Sequence, residues 1–248
     1  MFDRYDFWFE EERKGMEGWD FSHLNNRWES QPLPWDYLSE VKKHLDNTKR
    51  LLDLGTGGGE FLLSLNHPHR LTYVTEGYLP NLLKCQKELT PLGITVKAVD
   101  DTNRLPFLSQ SFDVVIDRHE AYDIKEVYRV LRPGGYFITQ QCGGRNNEDL
   151  SRRFYPNFVS QYASFNFKSE VQSFIKTGFR IEKQAEFQPK LKFFDVGAIV
   201  FYAKQIPWEF PNFSVNRFMN QLNEIHHIIE KQSYLESTEE RFLIIARK

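Results

Sequence analysis

The stretch LLDLGTGGGE at residues 51–60 places four glycines within five positions, at Gly55, Gly57, Gly58 and Gly59. Glycine loses more backbone entropy on ordering than other residues, so such a run points to a backbone that approaches a ligand closely. The preceding KRLLDL reads as a short buried strand, and the following residues begin a helix. A glycine loop in that position is where the first crossover of a nucleotide-binding α/β sheet meets its ligand.

The loop lacks the spacing of two common phosphate-binding loops. A dinucleotide fingerprint, G-x-G-x-x-G, needs glycine at position 60 or 62, where Glu60 and Leu62 stand. A P-loop ends in Gly-Lys-Ser/Thr, and those residues are missing here. The pattern that fits is D-x-G-x-G-x-G, formed by Asp53, Gly55, Gly57 and Gly59.

This pattern closely resembles the first motif of class I S-adenosylmethionine-dependent methyltransferases, in particular those of the methyltransferase type 11 family. S-adenosylmethionine has no pyrophosphate to attract a helix N-terminus; it carries a sulfonium, an amino-acid tail and an adenosine. The resemblance implies that Asp53 faces the ammonium of the methionyl tail, directly or through water. It also implies that the backbone of Gly55, Thr56, Gly57 and Gly59 packs against the ligand.

Glu76 ends the second predicted strand, LTYVTE, and is followed by Gly77. It lies about 20 residues after the first glycine of the loop, the separation expected of a ribose-binding acid. The resemblance implies that Glu76 holds both ribose hydroxyls.

The segment DDTNRLPF at residues 100–107 matches the family's motif after the third strand. The resemblance implies that Asp101 binds the adenine amino group and that the backbone N–H of Thr102 reaches the ring. Asp100 stands where the family often has glycine, so the choice between Asp100 and Asp101 stays open at this point.

Further along, SFDVVI (111–116) and EVYRVLRPGGYFI (126–138) match the fourth strand, the next helix and the turn before the fifth strand of the family. The alternation of strands and helices by itself indicates a parallel sheet covered on both faces. The resemblance implies an α/β, Rossmann-like sheet of seven mostly parallel strands in the order 3-2-1-4-5-7-6.

The chain is predicted to form a single domain over residues 1–248, with an N-terminal arm (1–48), a cofactor-binding core (49–141) and a C-terminal half (142–248). The C-terminal half carries a helical insertion, at about 190–238, between strands six and seven. Within it, DVGAIVFYAK is apolar nearly throughout and is interpreted as a buried helix rather than a strand. The insertion is either a lid over the acceptor pocket or a helical pair that thickens the core or contacts a second copy.

The arm carries Trp28, Trp35 and Tyr37 around a Pro-Leu-Pro segment. Its aromatic side chains either cover the cofactor or acceptor, or pack on the edge of the sheet.

The residues after the fourth strand, Asp117-Arg118-His119-Glu120, lie where the family usually lines the acceptor side. His119 is a candidate general base or acceptor-orienting residue, and the alternative is that it packs over the cofactor. Glu120 is its candidate partner, or the base itself. Arg118 either binds an acidic acceptor or forms a surface ion pair.

The net charge and the cysteine content of the chain bear on which classes of function are expected. The formal net charge is −2 and the sequence has two cysteines, which indicate neither a nucleic-acid tail nor a disulfide framework. We expect a cytoplasmic methyltransferase of a small-molecule acceptor, with no metal and no membrane contact. The alternatives are an RNA or protein methyltransferase, for which no basic face or N-P-P-Y signature is found, and a non-catalytic S-adenosylmethionine-binding module.

Overall fold

A computed structural model of the protein describes residues 3–16, 19–100 and 104–248. The helices and strands along these residues are α1 (Arg4–Arg13), β1 (Trp28–Ser30), α2 (Tyr37–Lys42), β2 (Leu51–Leu54), α3 (Glu60–Ser64), β3 (Thr72–Glu76), α4 (Leu79–Glu88), β4 (Thr95–Ala98), β5 (Phe112–Arg118), α5 (Ile124–Val130), β6 (Leu131–Cys142), α6 (Glu148–Phe154), α7 (Phe167–Thr177), β7 (Arg180–Phe187), β8 (Lys190–Phe193), α8 (Val196–Gln205), α9 (Met219–Gln232), β9 (Leu235–Thr238) and β10 (Arg241–Arg247).

The chain divides into two compact units, each made of three segments. The sheet unit comprises Pro34–Cys142, Phe167–Glu186 and Arg241–Lys248. The aromatic unit comprises Met1–Leu33, Gly143–Asn166 and Phe187–Glu240. The organisation of residues 1–248 as a single domain stays a prediction from the sequence.

The sheet unit contains a seven-stranded sheet in the order β4-β3-β2-β5-β6-β10-β7. Counted along the chain, its strands lie in the order 3-2-1-4-5-7-6, so the predicted Rossmann-like α/β fold is confirmed. Strands β2 to β6 pair in parallel, and β10 pairs antiparallel with β6. The carboxyl ends of the parallel strands therefore meet at one edge, which is where ligands bind in such sheets.

The antiparallel direction of β10 brings a further segment to that same edge. In the register of this pair, Arg241 lies opposite Cys142, the last residue of β6. The first residue of β10 therefore joins the carboxyl ends of the parallel strands.

The aromatic unit has its own three-stranded sheet, in the order β1-β8-β9. Its core is formed by apolar side chains from α1, α6, α8 and α9. Helix α8 is buried along most of its length and begins at Asp195, whose carboxylate accepts from the backbone N–H of Ala198 (2.8 Å). The interpretation of DVGAIVFYAK as a helix is therefore confirmed, whereas the short strands β8 and β9 at the ends of the insertion were not predicted.

In the described part of the chain, the helices are all too short or too polar to cross a bilayer.

Candidate active site

The glycine loop is tied to the neighbouring strand β3 by its own backbone. Thr56 donates its N–H to the carbonyl of Thr75 (3.2 Å), and Gly57 donates to Glu76 Oε2 (2.9 Å). Gly57 has a φ of 62°, and a Cβ there would meet nothing within 4 Å. The loop therefore presents a left-handed backbone with open space beside it, as close approach to a ligand requires.

Glu76 is 4% exposed, and both of its carboxylate oxygens accept backbone N–H groups. Besides the bond from Gly57, Oε1 accepts from the N–H of Tyr78 (2.9 Å). These bonds fix the carboxylate at the carboxyl end of β3. Each oxygen keeps a second lone pair that can accept from a ligand hydroxyl.

Asp53 lies at the carboxyl end region of β2 and is 5% exposed. Burial raises the pKa of its carboxyl to about 7, with Arg118 opposing and Glu76 adding to that rise. Among the described residues no cation lies within ion-pair distance of it. A desolvated carboxyl that forms no ion-pair contact with a described residue is suited to receive a cationic ligand group.

Glu120 occupies the space directly over the first glycine of the loop. A Cβ built on Gly55 would lie 2.3 Å from Glu120 Cγ and 2.5 Å from its Oε2. Desolvation by the surrounding protein and the negative charge of Glu76 raise the pKa of the Glu120 carboxyl. Glu120 therefore belongs to the loop side of the site, where the charge of Glu76 acts on it.

Asp117, on β5, is fully buried. Its Oδ1 accepts from Gln141 Nε2 and from Thr139 Oγ1 (3.3 Å) on β6, while Oδ2 has no hydrogen-bond partner. Burial, followed by the charges of Glu120 and Asp53, raises its pKa well above the usual range. Through these bonds Asp117 braces β5 against β6.

His119 stands on a left-handed backbone (φ 70°) just after β5. Its Nε2 lies 3.2 Å from Gln140 Nε2, and Gln140 Oε1 accepts from Trp35 Nε1 (2.8 Å). Because the indole only donates, the Gln140 amide turns its NH₂ toward His119, and His119 Nε2 must then be the acceptor. Burial, then Arg241 and Arg118, lower the pKa of the imidazole to about 3, so it is neutral at physiological pH.

The arm residue Tyr37 joins the ends of β5 and β6. Its hydroxyl accepts from the N–H of Asp117 (3.1 Å) and lies within donating distance of the carbonyls of Asp117 (2.8 Å) and Ile138 (3.0 Å). Trp35 and Tyr37 thus contact the site edge of the sheet. Trp28 packs within the aromatic unit, against Tyr202 (ring centroids 6.0 Å apart) and Phe193 (6.2 Å).

The structure brings most of the predicted residues to one edge. Hydrogen bonds tie Thr56 and Gly57 to β3 and Glu76, and Glu120 lies over Gly55. Asp53 lies on the neighbouring strand β2, Gly77 follows Glu76, and Gly59 is the N-cap of α3. Asp101 and Thr102 lie outside the described residues. No cluster of three or more metal-ligating side chains occurs in the ranges that the structure describes.

Two contributors at this edge were not singled out from the sequence, Asp117 and Arg241. Asp117 ends an otherwise apolar strand segment, VVID, and a buried acid in such a run is a signal that could have been used. Arg241 gives no such signal, because only the antiparallel return of β10 places it here.

A comparison with protein families decides the class of the site. Residues 52–139 match the model of a methyltransferase domain family. Over these residues the chain matches a methyltransferase domain, the family whose motifs the sequence carries. The match covers β2 to β6 and the loops that hold Asp53, Glu76, His119 and Glu120, so the family resemblance of the sequence is confirmed. No curated protein is significantly similar to the sequence.

Solved structures share the fold of the methyltransferase domain. A putative methyltransferase from Bacillus halodurans C-125 has a TM-score of 0.55 at 17% identity, covering 85% of this chain and 96% of that chain. YcgJ protein from Bacillus subtilis has a TM-score of 0.55 at 16% identity, covering 86% and 97%. Geranyl diphosphate C-methyltransferase from Streptomyces coelicolor, solved with S-adenosyl-L-homocysteine, Mg²⁺ and geranyl diphosphate, has a TM-score of 0.52 at 10% identity, covering 85% and 76%.

Proposed function

We propose that this chain transfers a methyl group from S-adenosylmethionine to a small-molecule acceptor in the cytoplasm, by in-line displacement at the sulfonium methyl. The observation that carries the proposal is the buried carboxyl of Asp53 beside a glycine loop whose Gly57 N–H is bound by Glu76. The ligand class that matches this arrangement is a cation that also carries hydroxyls.

The residues present fit such a cofactor. Asp53 and Glu120 would face the cationic methionyl part, and Glu76 would accept from the ribose hydroxyls. Asp101 and Thr102 stay the proposed adenine contacts. The bound cofactor supplies an electrophilic methyl group, and no metal is invoked.

The chain's own task in such a reaction is to align the acceptor and exclude water. His119 is proposed to orient the acceptor rather than to act as a base, because its Nε2 lone pair accepts from Gln140 and its neutral imidazole keeps the Nδ1–H as a donor. A general base works best with a pKa near the operating pH, and a pKa of about 3 is far below it. Glu120, whose pKa is raised, stays the better candidate base of the two for an acceptor that carries a proton.

Calorimetric titration with S-adenosylmethionine, S-adenosylhomocysteine and NAD tests the assignment. We expect both sulfur ligands to bind and NAD not to bind; the reverse result would remove the family assignment of the ligand. Transfer of a labelled methyl group to a metabolite extract separates an enzyme from a non-catalytic binding module. An RNA substrate would instead show strongly salt-dependent binding.

The affinity for S-adenosylmethionine is expected to rise with pH through about 7. The cationic tail favours ionised Asp53, whose pKa is raised to about 7, so protonation at lower pH opposes binding. Below pH 7 the affinity is expected to fall by up to about tenfold per pH unit, which is the limit when binding is coupled to the release of one proton. The gain ends near pH 8, where the ligand's α-amino group itself loses its proton.

Calorimetry between pH 5.5 and 8 measures this dependence. In Asp53→Asn the affinity is expected to be lower and its rise with pH smaller, because only Glu120, whose pKa is also raised, still titrates beside the cation. A wild-type affinity that does not change with pH, or an unchanged slope in Asp53→Asn, would show that Asp53 does not meet the cation.

Replacement of His119 is expected to lower methyl transfer about 100-fold, the scale of a misplaced reactant, while the dissociation constant of S-adenosylmethionine changes little. The best variant is His119→Asn, because asparagine tolerates the left-handed φ of 70° and so avoids backbone strain. His119→Ala tests the same loss with added strain. Equal losses of turnover and cofactor affinity in both variants would instead indicate that His119 only packs over the cofactor.

A further inference from the structure

Arg118 is the last residue of β5 and lies at the carboxyl edge of the sheet, opposite Gln140 of β6. Its side chain is exposed, and its guanidinium carbon lies 4.6 Å from the ring centroid of Phe61 on α3. Stacking on an aromatic face holds the guanidinium plane in place while its N–H groups stay available.

Within the described ranges, no carboxylate lies at ion-pair distance from Arg118, although several acids belong to the same edge. The positions of these acids explain why. Glu120 lies over Gly55, and both oxygens of Glu76 bind backbone N–H groups. Asp117 is directed to Gln141 and Thr139 on β6. Among the residues that the structure describes, the surface ion pair left open by the sequence is therefore absent.

A second cation belongs to the same part of the edge. Arg241 begins β10 opposite Cys142, and Cys142 Sγ lies 3.4 Å from His119 Nδ1. The charges of Arg241 and Arg118 both act on the imidazole of His119, which is neutral. Two arginines therefore act on His119, whereas Glu120 and Glu76 are the charged groups in contact with the glycine loop.

We infer that the methyl acceptor is an anion whose carboxylate or phosphate group binds the guanidinium of Arg118, with Arg241 as a second positive charge beside His119. This inference rests on the proposed function. A guanidinium presents two parallel N–H donors that match either oxyanion, and the aromatic ring of Phe61 fixes their plane. The edge of the sheet thus has an acidic part for a cationic methyl donor and a basic part for an anionic acceptor.

The test begins with labelled methyl transfer from S-adenosylmethionine to a small-molecule extract separated on an anion-exchange resin. We expect the methylated product to arise from the retained, anionic fraction. Pretreatment of that fraction with a phosphatase removes a phosphate acceptor, whereas amidation with methylamine and a carbodiimide removes a carboxylate acceptor.

With the active fraction in hand, Arg118→Gln is expected to raise the KM for the acceptor about 10- to 100-fold, as loss of a charge-assisted contact does. The kcat should change less. Arg118→Lys should recover part of the KM because it restores the charge without the fork. The control is Arg70→Gln, an exposed arginine before β3 at the opposite edge of the sheet, which should behave as wild type.

Acceptor activity confined to neutral or cationic fractions would overturn the inference, as would equal KM values in Arg118→Gln and Arg70→Gln. If no transfer is detected, phosphate and acetate are titrated into ¹⁵N-labelled protein, and the Arg118 Nε–H signal is identified by its loss in Arg118→Gln. A saturable shift of that signal supports the inference, and no shift with either anion overturns it. Absence of S-adenosylmethionine binding by calorimetry would defeat the proposed function separately.

Discussion

Replacing Glu76 by alanine is expected to weaken the binding of S-adenosylmethionine by about 100-fold or more. The carboxylate accepts from the N–H groups of Gly57 (2.9 Å) and Tyr78 (2.9 Å), and it is 4% exposed. The substitution removes the proposed ribose acceptor and leaves two backbone donors without their partner. Each lost hydrogen bond to a charged group costs about 1.5–3 kcal/mol. The lost ribose contact and the loosened glycine loop therefore both lower the affinity for the cofactor.

Calorimetric titration measures the effect, with circular dichroism to show that the fold is kept. Glu60→Ala is a matched control from the same region, since Glu60 is exposed and pairs with Lys84 (2.6 Å) at the surface. Such surface pairs contribute about 1 kcal/mol at most. If Glu76→Ala bound as tightly as Glu60→Ala, the ribose contact would have to lie elsewhere.

Replacing Arg27 by alanine is expected to destabilise the aromatic unit by about 3 kcal/mol. Its guanidinium binds both oxygens of Asp195, the N-cap of α8 (2.6 and 2.9 Å), and also Glu11 Oε2 on α1 (3.1 Å). Glu11 is 1% exposed, so the variant leaves a buried carboxylate with less compensation. Arg27 thus joins the two helices that the arm and the insertion bring together.

Urea denaturation at pH 7 measures this loss, with Arg153→Ala, an exposed arginine of α6, as the control. The companion variant Arg27→Ala/Glu11→Gln should regain part of the stability, because the uncompensated charge is removed. A loss no larger than that of the control would show that the contacts to Asp195 and Glu11 contribute little.

The same network gives a pH dependence of known sign. Burial acts to raise the pKa of Glu11, but Lys14, His23 and Arg27 together bring it below its usual value. The stability that this carboxylate contributes is therefore present at neutral pH and is lost as the pH falls through its folded pKa.

The carboxyl edge of the sheet, with its glycine loop, is the part of the fold that local sequence pattern predicts well. The glycine loop follows β2, and Asp53 and Glu76 lie at the carboxyl ends of β2 and β3. In a parallel sheet the ends of neighbouring strands must meet. The order of the seven strands followed from the family resemblance, which the match over residues 52–139 confirms.

What the sequence alone determined is the sheet, the loop and the acids at the strand ends, because those depend on short-range periodicity and on spacing within about 20 residues. Only the tertiary structure decided the division into two units, the placement of Arg241 and the bond between Trp35 and Gln140. The tertiary structure also decided strands β1, β8 and β9. Each of them has only three or four residues, and its register is set by a partner strand that is distant in sequence or separated by a long insertion. Contacts of that kind depend on how separated segments pack, and short runs of residue types do not encode them.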